Sequence, residues 1–506
     1  MENFKDTGTP TFYTEDILGE EIFAECGGEF LLPDYLPEVR RILSVSARAL
    51  PEGHFLAENA EFAGQTVFTL LYTDDGGKLC ATTLRSPYEV SLPLSEPHDG
   101  VLTVKERAEE VGVRLLGPRR LTLRTRVRIL PHLYIKREIP GELGEESLVT
   151  LTRNVKDGEY VNQSLQDLPI EAHIPLAAAE CERKILFADG TALLRECRPE
   201  RDGVRVRGDI LFSAMVSGDG LPELAETRQS FDEWIPLENA ADYLLTADTK
   251  LGEVEATLDE QRGELSLSAP LSLFAEGRRA LTLPVVCDAF STEHPTRAEC
   301  ERFTFSSPID VETRRIELSG SIPTEEEGTV LFTHCRPLSV ATARQENEVV
   351  LDGMLEVTCL LALCSNEEGT IRYTSVTGTL PFRHRADWQR DHCTVKERLG
   401  ALRMTGRCDR GKIELTGDLA LTLFAEEQSE ESLPVALHPT EGGESLPRDA
   451  ITVYYTQGGD TLWSVAKKFR IPPADIAAAN DLPDEVLSEP DSAVSLDGMP
   501  YLLLGF

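Results

Sequence analysis

The residues able to do covalent or metal chemistry are dispersed along this chain. Nine histidines and eleven cysteines occur in 506 residues. No His-x-x-x-His, Gly-x-Ser-x-Gly or phosphate-cradling glycine loop gathers them. Cys393 follows His392, but adjacency along a chain does not set the geometry of a nucleophile and its base. There is no Cys-x-x-Cys, and Cys359 and Cys364, the closest pair, have no second pair at zinc-site spacing. The expectation is no catalytic site, no metal and no cofactor, with the cysteines as buried reduced thiols. Two other groupings are suited to binding. In 458-GGDTLWSVAKKF-469 a Gly-Asp turn leads into a helix, and Trp463 beside Leu462 is a packing residue or, if exposed, a protein-binding anchor. In residues 101–137 ten Lys or Arg stand against three Glu. Arg124, Arg126 and Arg128 share one face of an alternating strand there. That face either pairs with acidic strands of the same chain or docks an acidic partner or another copy.

The elements that position these groups come from a chain too long for one core, with several domains expected. Its 50 Lys and Arg against 87 Asp and Glu give a net charge of −37, which excludes a general binder of nucleic acid or anionic membrane. At 41% hydrophobic residues it can still build packed cores. The first residues, MENFKDTGTPTFYTEDILGEEIF, lack a secretory pattern, and no stretch approaches 18 uncharged apolar residues. A cytosolic protein without a transmembrane segment is expected.

A repeat of about 145 residues organises most of the chain. An apolar triplet recurs at 42-ILSVSA-47, 185-ILFADG-190 and 330-VLFTHC-335. A glycine opens an apolar strand at 64-GQTVFTLLY-72, 208-GDILFSAMV-216 and 353-GMLEVTCLLAL-363. A glycine turn precedes an alternating strand at 117-GPRRLTLRTRVRI-129, 263-GELSLSAPLSLF-274 and 411-GKIELTGDLALTLF-424. Between the last two landmarks lie the Pro-marked segments 86-SPYEVSLPL-94, 230-SFDEWIPL-237 and 379-TLPFRHRA-386. Copies two and three share the strand ending Leu-Phe-Ala-Glu at 273–276 and 423–426. Short half-buried strands between Gly, Asp and Pro turns predict a small β-sandwich for each copy.

The opening of the first copy, 32-LPDYLPEVRRILSVSAR-48, with 62-FAGQTVFTLLY-72 and 111-VGVRLLGPRRLTLRTRVRI-129, resembles the SPOCS domain, a β-rich repeat of spore-coat and sporulation proteins of endospore-forming Firmicutes. Copies two and three lack the Leu-Pro-Asp opening and join the resemblance through the internal repeat. After them, residues 428–450 read as a flexible linker rich in Pro, Gly, Ser and Glu. A strand, 451-ITVYY-455, follows. Asp460 or Thr461 can cap a helix over 461–469 whose stripe is Leu462, Val465, Ala466 and Phe469. Pro472 and Pro473 open a second helix ending at Asn480, which can take the left-handed cap conformation. A last strand, 499-MPYLLL-504, can pair with the first.

This strand–helix–helix–strand pattern is similar to LysM. The resemblance implies a shallow groove for N-acetylated glycans between two loops. By position those loops carry Gly459, Asp460, Thr461 and Leu462, with Trp463 next to them, and Asn480, Leu482 and Pro483. The sequence departs from the family in its apolar Leu-Leu-Leu-Gly-Phe ending and in its charge, eight acidic against three basic residues over 451–506.

The expected architecture is therefore mainly β: three tandem SPOCS-like β-sandwich repeats and a small α+β LysM (βααβ) domain. The expected boundaries are a leader over 1–28, repeat one over 29–140, a connector over 141–169, repeat two over 170–290, repeat three over 291–427, the linker over 428–450 and LysM over 451–506. SPOCS-like units followed by one LysM resemble sporulation scaffolds. That resemblance implies a non-enzymatic protein of the mother-cell cytoplasm, at the forespore outer surface, with a SpoIVA-like spore coat ATPase as partner and no nucleic acid. The alternative is a peptidoglycan or cortex binder that holds N-acetylglucosamine glycans, with the β repeats as a spacer.

Overall fold

In the computed structural model, which describes residues 11–94, 100–139, 147–176, 183–218, 220–259, 263–345, 348–364, 371–388, 393–440, 451–492, 496 and 499–504, each copy of the repeat is an antiparallel β unit. The first comprises β1 (Thr11–Asp16), β2 (Ile22–Leu31), β3 (Arg41–Leu56), β4 (Asn59–Thr73), β5 (Leu79–Pro93), β6 (Gly100–Gly117) and β7 (Arg120–Ile139). The second comprises β8 (Leu148–Pro175), β9 (Lys184–Glu200), β10 (Gly203–Ser217), β11 (Glu223–Pro236), β12 (Leu244–Leu251), β13 (Glu255–Asp259) and β14 (Glu264–Ser291). The third comprises β15 (Thr296–Pro323), β16 (Thr329–Gln345), β17 (Glu348–Cys364), β18 (Ile371–Asp387), β19 (Thr394–Asp409) and β20 (Lys412–Pro439). One sheet of each unit is a meander: β3–β4–β5, β9–β10–β11 or β16–β17–β18. The other is built on the unit's last strand, with β1, β2 and β6 on β7, with β8, β12 and β13 on β14, and with β15 and β19 on β20.

The two sheets of a unit face each other across a shared core, as in a sandwich. In the second unit Val204, Ile210, Phe212 and Ile235 of the meander meet Leu265, Leu267, Leu271 and Leu273 of β14. The repeated sequence landmarks have physical causes. Gly64, Gly208 and Gly353 pair across the meander with Tyr88, Phe231 and Phe382. Each aromatic ring lies over its glycine, where a Cβ would come closer than 3.0 Å. The apolar triplet is a β-bulge in every copy: Leu43, Leu186 and Leu331 are the extra residues in β3, β9 and β16. A second bulge follows at Glu52, Arg195 and Leu338. Bulges increase local twist and turn a side chain out of the ladder. Here they send Leu43, Leu186 and Leu331 into one cluster with Phe187, Met215 and Leu360, where all three meanders meet.

The units close on one another. The third strand of each meander lies against the first of the next: β5 on β9, β11 on β16, and β18 back on β3. A second three-way cluster joins Tyr13 and Ile139, Val155 and Val285, and Phe303, Phe305 and Leu433. Between the units lies an open chamber of about 1450 Å³, lined by residues of all three.

The strands redraw three expected boundaries. The leader over 1–28 holds β1 and most of β2, both paired with β7, while residues 1–10 lie outside the described residues. The connector over 141–169 is mostly β8, which pairs with β14 along almost its whole length. The linker over 428–450 is strand as far as Pro439, paired with β15, and 441–450 lie outside the described residues. In each case the stretch is held as strand by pairing with a long partner strand, whatever its own propensity.

Candidate functional site

The C-terminal module comprises β21 (Thr452–Tyr455), α1 (Leu462–Phe469), α2 (Pro473–Ala479), α3 (Asp484–Ser488) and β22 (Tyr501–Leu504), with β21 and β22 antiparallel. The loop before α1 is a hydrogen-bonded turn, in which the Asp460 amide donates to the Gln457 carbonyl at 3.0 Å. Gly459 has φ +95°, the left-handed region that favours glycine at this turn position. Its neighbour Gly458 faces open space. The Asp460 carboxylate accepts from the Tyr454 hydroxyl and the Gln457 amide, both at 2.8 Å, so it braces the turn. Thr461 is the helix cap: its hydroxyl accepts from the Ser464 amide at 3.0 Å, and Ser464 Oγ accepts from the Thr461 amide at 2.9 Å.

Leu462, Val465 and Ala466 are buried against Ile476, Ala477, Leu482, Leu502 and Leu504. Asn480 is not in the left-handed conformation; Asp481, one residue later, has φ +49°. The Asn480 side chain instead bridges the last strand, donating to the Leu503 carbonyl at 2.9 Å and accepting from the Leu503 amide at 2.7 Å. Gly459, Asp481 and Pro483 are exposed and form the open rim of the two loops. Residues 454–488 match the family of the LysM domain. This module is a LysM domain. Comparison with curated proteins and with solved structures gives no match for the chain.

The LysM domain is seated on the second unit. Trp463 is only 4% exposed, its ring edge-on to Phe290 at 5.2 Å and packed in a cluster that includes Leu151. Its indole N–H donates to Asp288 Oδ2 at 2.9 Å. Lys467, one turn on, grips both oxygens of Asp288 at 2.6 and 2.7 Å. Arg153 reaches Asp491 at 3.5 Å, and Arg470 donates to the Glu293 carbonyl at 3.3 Å. Trp463 thus packs within the chain, and the rim loops stay on the open side.

Arg124, Arg126 and Arg128 do share the face of β7 opposite its buried Leu123, Val127 and Ile129, between β2 and β6, and Arg128 also lines the chamber. Arg128 pairs with Glu21 and stands 3.8 Å from Glu109. Arg126 lies 3.8 Å from Glu110 and 3.7 Å above the Phe23 ring. Arg124 is exposed and has no ion pair among the described residues.

The chamber wall carries a charged junction that was not among the sequence candidates. Lys105 of β6 contacts Asp248 of β12 and stands 3.9 Å from Glu276 of β14. Glu276 also accepts from Arg398 of β19 at 2.6 Å. Arg278 of β14 reaches Glu426 of β20 at 2.6 Å, and Lys396 reaches the same carboxylate at 3.0 Å. Arg278 lies 4.3 Å from the Phe424 ring centre, and Tyr134 stacks on Tyr160 at 3.8 Å. Burial alone would raise the Glu276 carboxyl, but Arg398 and Lys105 outweigh it and hold it at about 2. Glu276 and Glu426 are the glutamates of the two Leu-Phe-Ala-Glu endings, the one sequence signal that could have marked the junction.

Proposed function

We propose that the chain is a non-enzymatic scaffold that presents a LysM domain as its binding end. The observation that carries this reading is the asymmetry of that domain. The side of α1 bearing Trp463 and Lys467 is fixed to the second unit, while the loop rim of Gly459, Asp481 and Pro483 faces outward. A rigid platform with one open recognition rim suits attachment of one structure to another, and pre-organised loops lose little freedom on binding. With the SPOCS resemblance of the first unit, the finer reading is a spore-coat assembly protein comparable to SipL and SpoVID. It would act in the mother-cell cytoplasm at the forespore surface, and its LysM domain would bind a SpoIVA-like coat ATPase. The glycan reading, with peptidoglycan at the same rim, is favoured by the LysM match itself.

The test uses the full chain and a blocking substitution, Gly458→Trp, placed where a side chain meets open space. Capture of a SpoIVA-like protein by the wild type, lost in Gly458→Trp, is the expected result. Co-sedimentation with purified peptidoglycan and no capture of the ATPase would replace the protein partner by the glycan.

A further inference from the structure

The contact that seats the LysM domain is a plug and socket, with Trp463 and Lys467 as plug and Asp288, Phe290 and Leu151 as socket. The socket is a built feature of the second unit. An extra residue at Cys287 bulges β14 and turns Asp288 toward Lys467. The third unit repeats the backbone but not the chemistry. Its bulge falls at Val435, and 148 residues beyond Asp288 and Phe290 stand Ala436 and His438, the latter paired with Glu299 at 2.7 Å. In the first unit β7 ends at Ile139, short of the equivalent place. Among the described residues the chain therefore carries one plug and one socket.

We propose that this socket also takes the LysM domain of a second copy of the chain, so that copies join head to tail. Complementary charge favours that occupant: Lys467 meets Asp288, and Asp491 meets Arg153, whoever supplies them. Ten residues, 441–450, separate Thr440 from Ile451 in the sequence, enough chain to span at most about 40 Å. Covalent attachment gives docking within one chain an effective concentration on the order of millimolar. Docking between chains competes when copies crowd at similar density, as on a surface being coated. Plug and socket are different surfaces, so the contact is heterologous and propagates into rows or closes into rings. The contact is small and partly polar, which keeps it exchangeable. The proposal is independent of what the LysM rim binds.

Two full-length variants test it. Asp288→Arg spoils the socket and keeps the plug; Trp463→Ala spoils the plug, leaves no charge that could pair with an arginine in the spoiled socket, and keeps the socket. By light scattering each alone should have the mass of one chain, and an equimolar mixture should show twice that mass, because one wild-type plug and one wild-type socket remain. A mixture that stays at the mass of one chain overturns the proposal, as does a dimer of either variant alone, which would place the contact elsewhere. Independently of those variants, the average mass of the wild-type protein should rise above that of one chain as its concentration approaches the millimolar range, measured at that concentration without dilution, and a mass that stays at that of one chain has the same consequence.

Discussion

At the scale of single residues, Trp463 and Glu276 show how position in the fold decides a role that residue type leaves open. Trp463 stands where either a core residue or an exposed anchor was possible, and the structure buries it between α1 and the second unit. Truncation of a buried large aromatic costs about 3–5 kcal/mol. Trp463→Ala is therefore expected to loosen residues 452–504 while the ring melts unchanged, a difference that hydrogen exchange of the two regions resolves. Glu276 gives a pH dependence. Its folded value of about 2 lies below the ordinary 4.5, so its contribution is full above about pH 4.5 and is lost as pH falls through about 2. Glu276→Gln should lower the urea midpoint at pH 6, and the gap to wild type should narrow as the pH is taken toward 3. A gap independent of pH would mean that the carboxylate charge does not hold the junction. Neither environment was legible from local sequence, because the partners of Trp463 lie some 175 residues away and those of Glu276 on the first and third units.

Among the elements, the repeat landmarks were legible because they are local geometry: a bulge, and a glycine under an aromatic ring. Gly208 in β10 pairs with Phe231 in β11, and a Cβ there would sit 2.5 Å from the ring. Gly208→Ala should destabilise the second unit by about 1–3 kcal/mol, the usual cost of overpacking, read as a lowered denaturant midpoint. An unchanged midpoint would show that the ring moves aside without cost. The LysM strands and its first two helices followed from alternation, capping and proline signals. The ends of the long strands did not. β8 runs through 156-KDGEYVNQ-163 and β20 through 427-EQSEES-432, sequences that read as connectors because their strand state comes from β14 and β15 rather than from their own propensity. The short α3 was likewise invisible, since 484-DEVLS-488 is too brief to show helical periodicity.

For the whole molecule, the decisive property is closure. Each unit has a core of its own, yet two apolar clusters belong to no single unit: the one around Leu43, Phe187 and Leu331, and the one around Tyr13, Val285 and Phe305. The landmark spacing revealed three copies, but a repeat of this kind is equally compatible with beads on a string. What closes the ring is the contact of β18 with β3, between elements some 300 residues apart. A chain ending after Ser291 keeps the first two units and loses the third surface of both clusters. It should retain its β-sheet circular dichroism, because the cores of those two units are complete without the third. It should also bind a hydrophobic dye and self-associate, because exposed apolar patches of this kind recruit other surfaces. A shortened chain that stays at the mass of one chain, binds no dye and melts like the full protein would show that the units do not depend on one another, and the shared clusters would then contribute nothing to the stability of the ring.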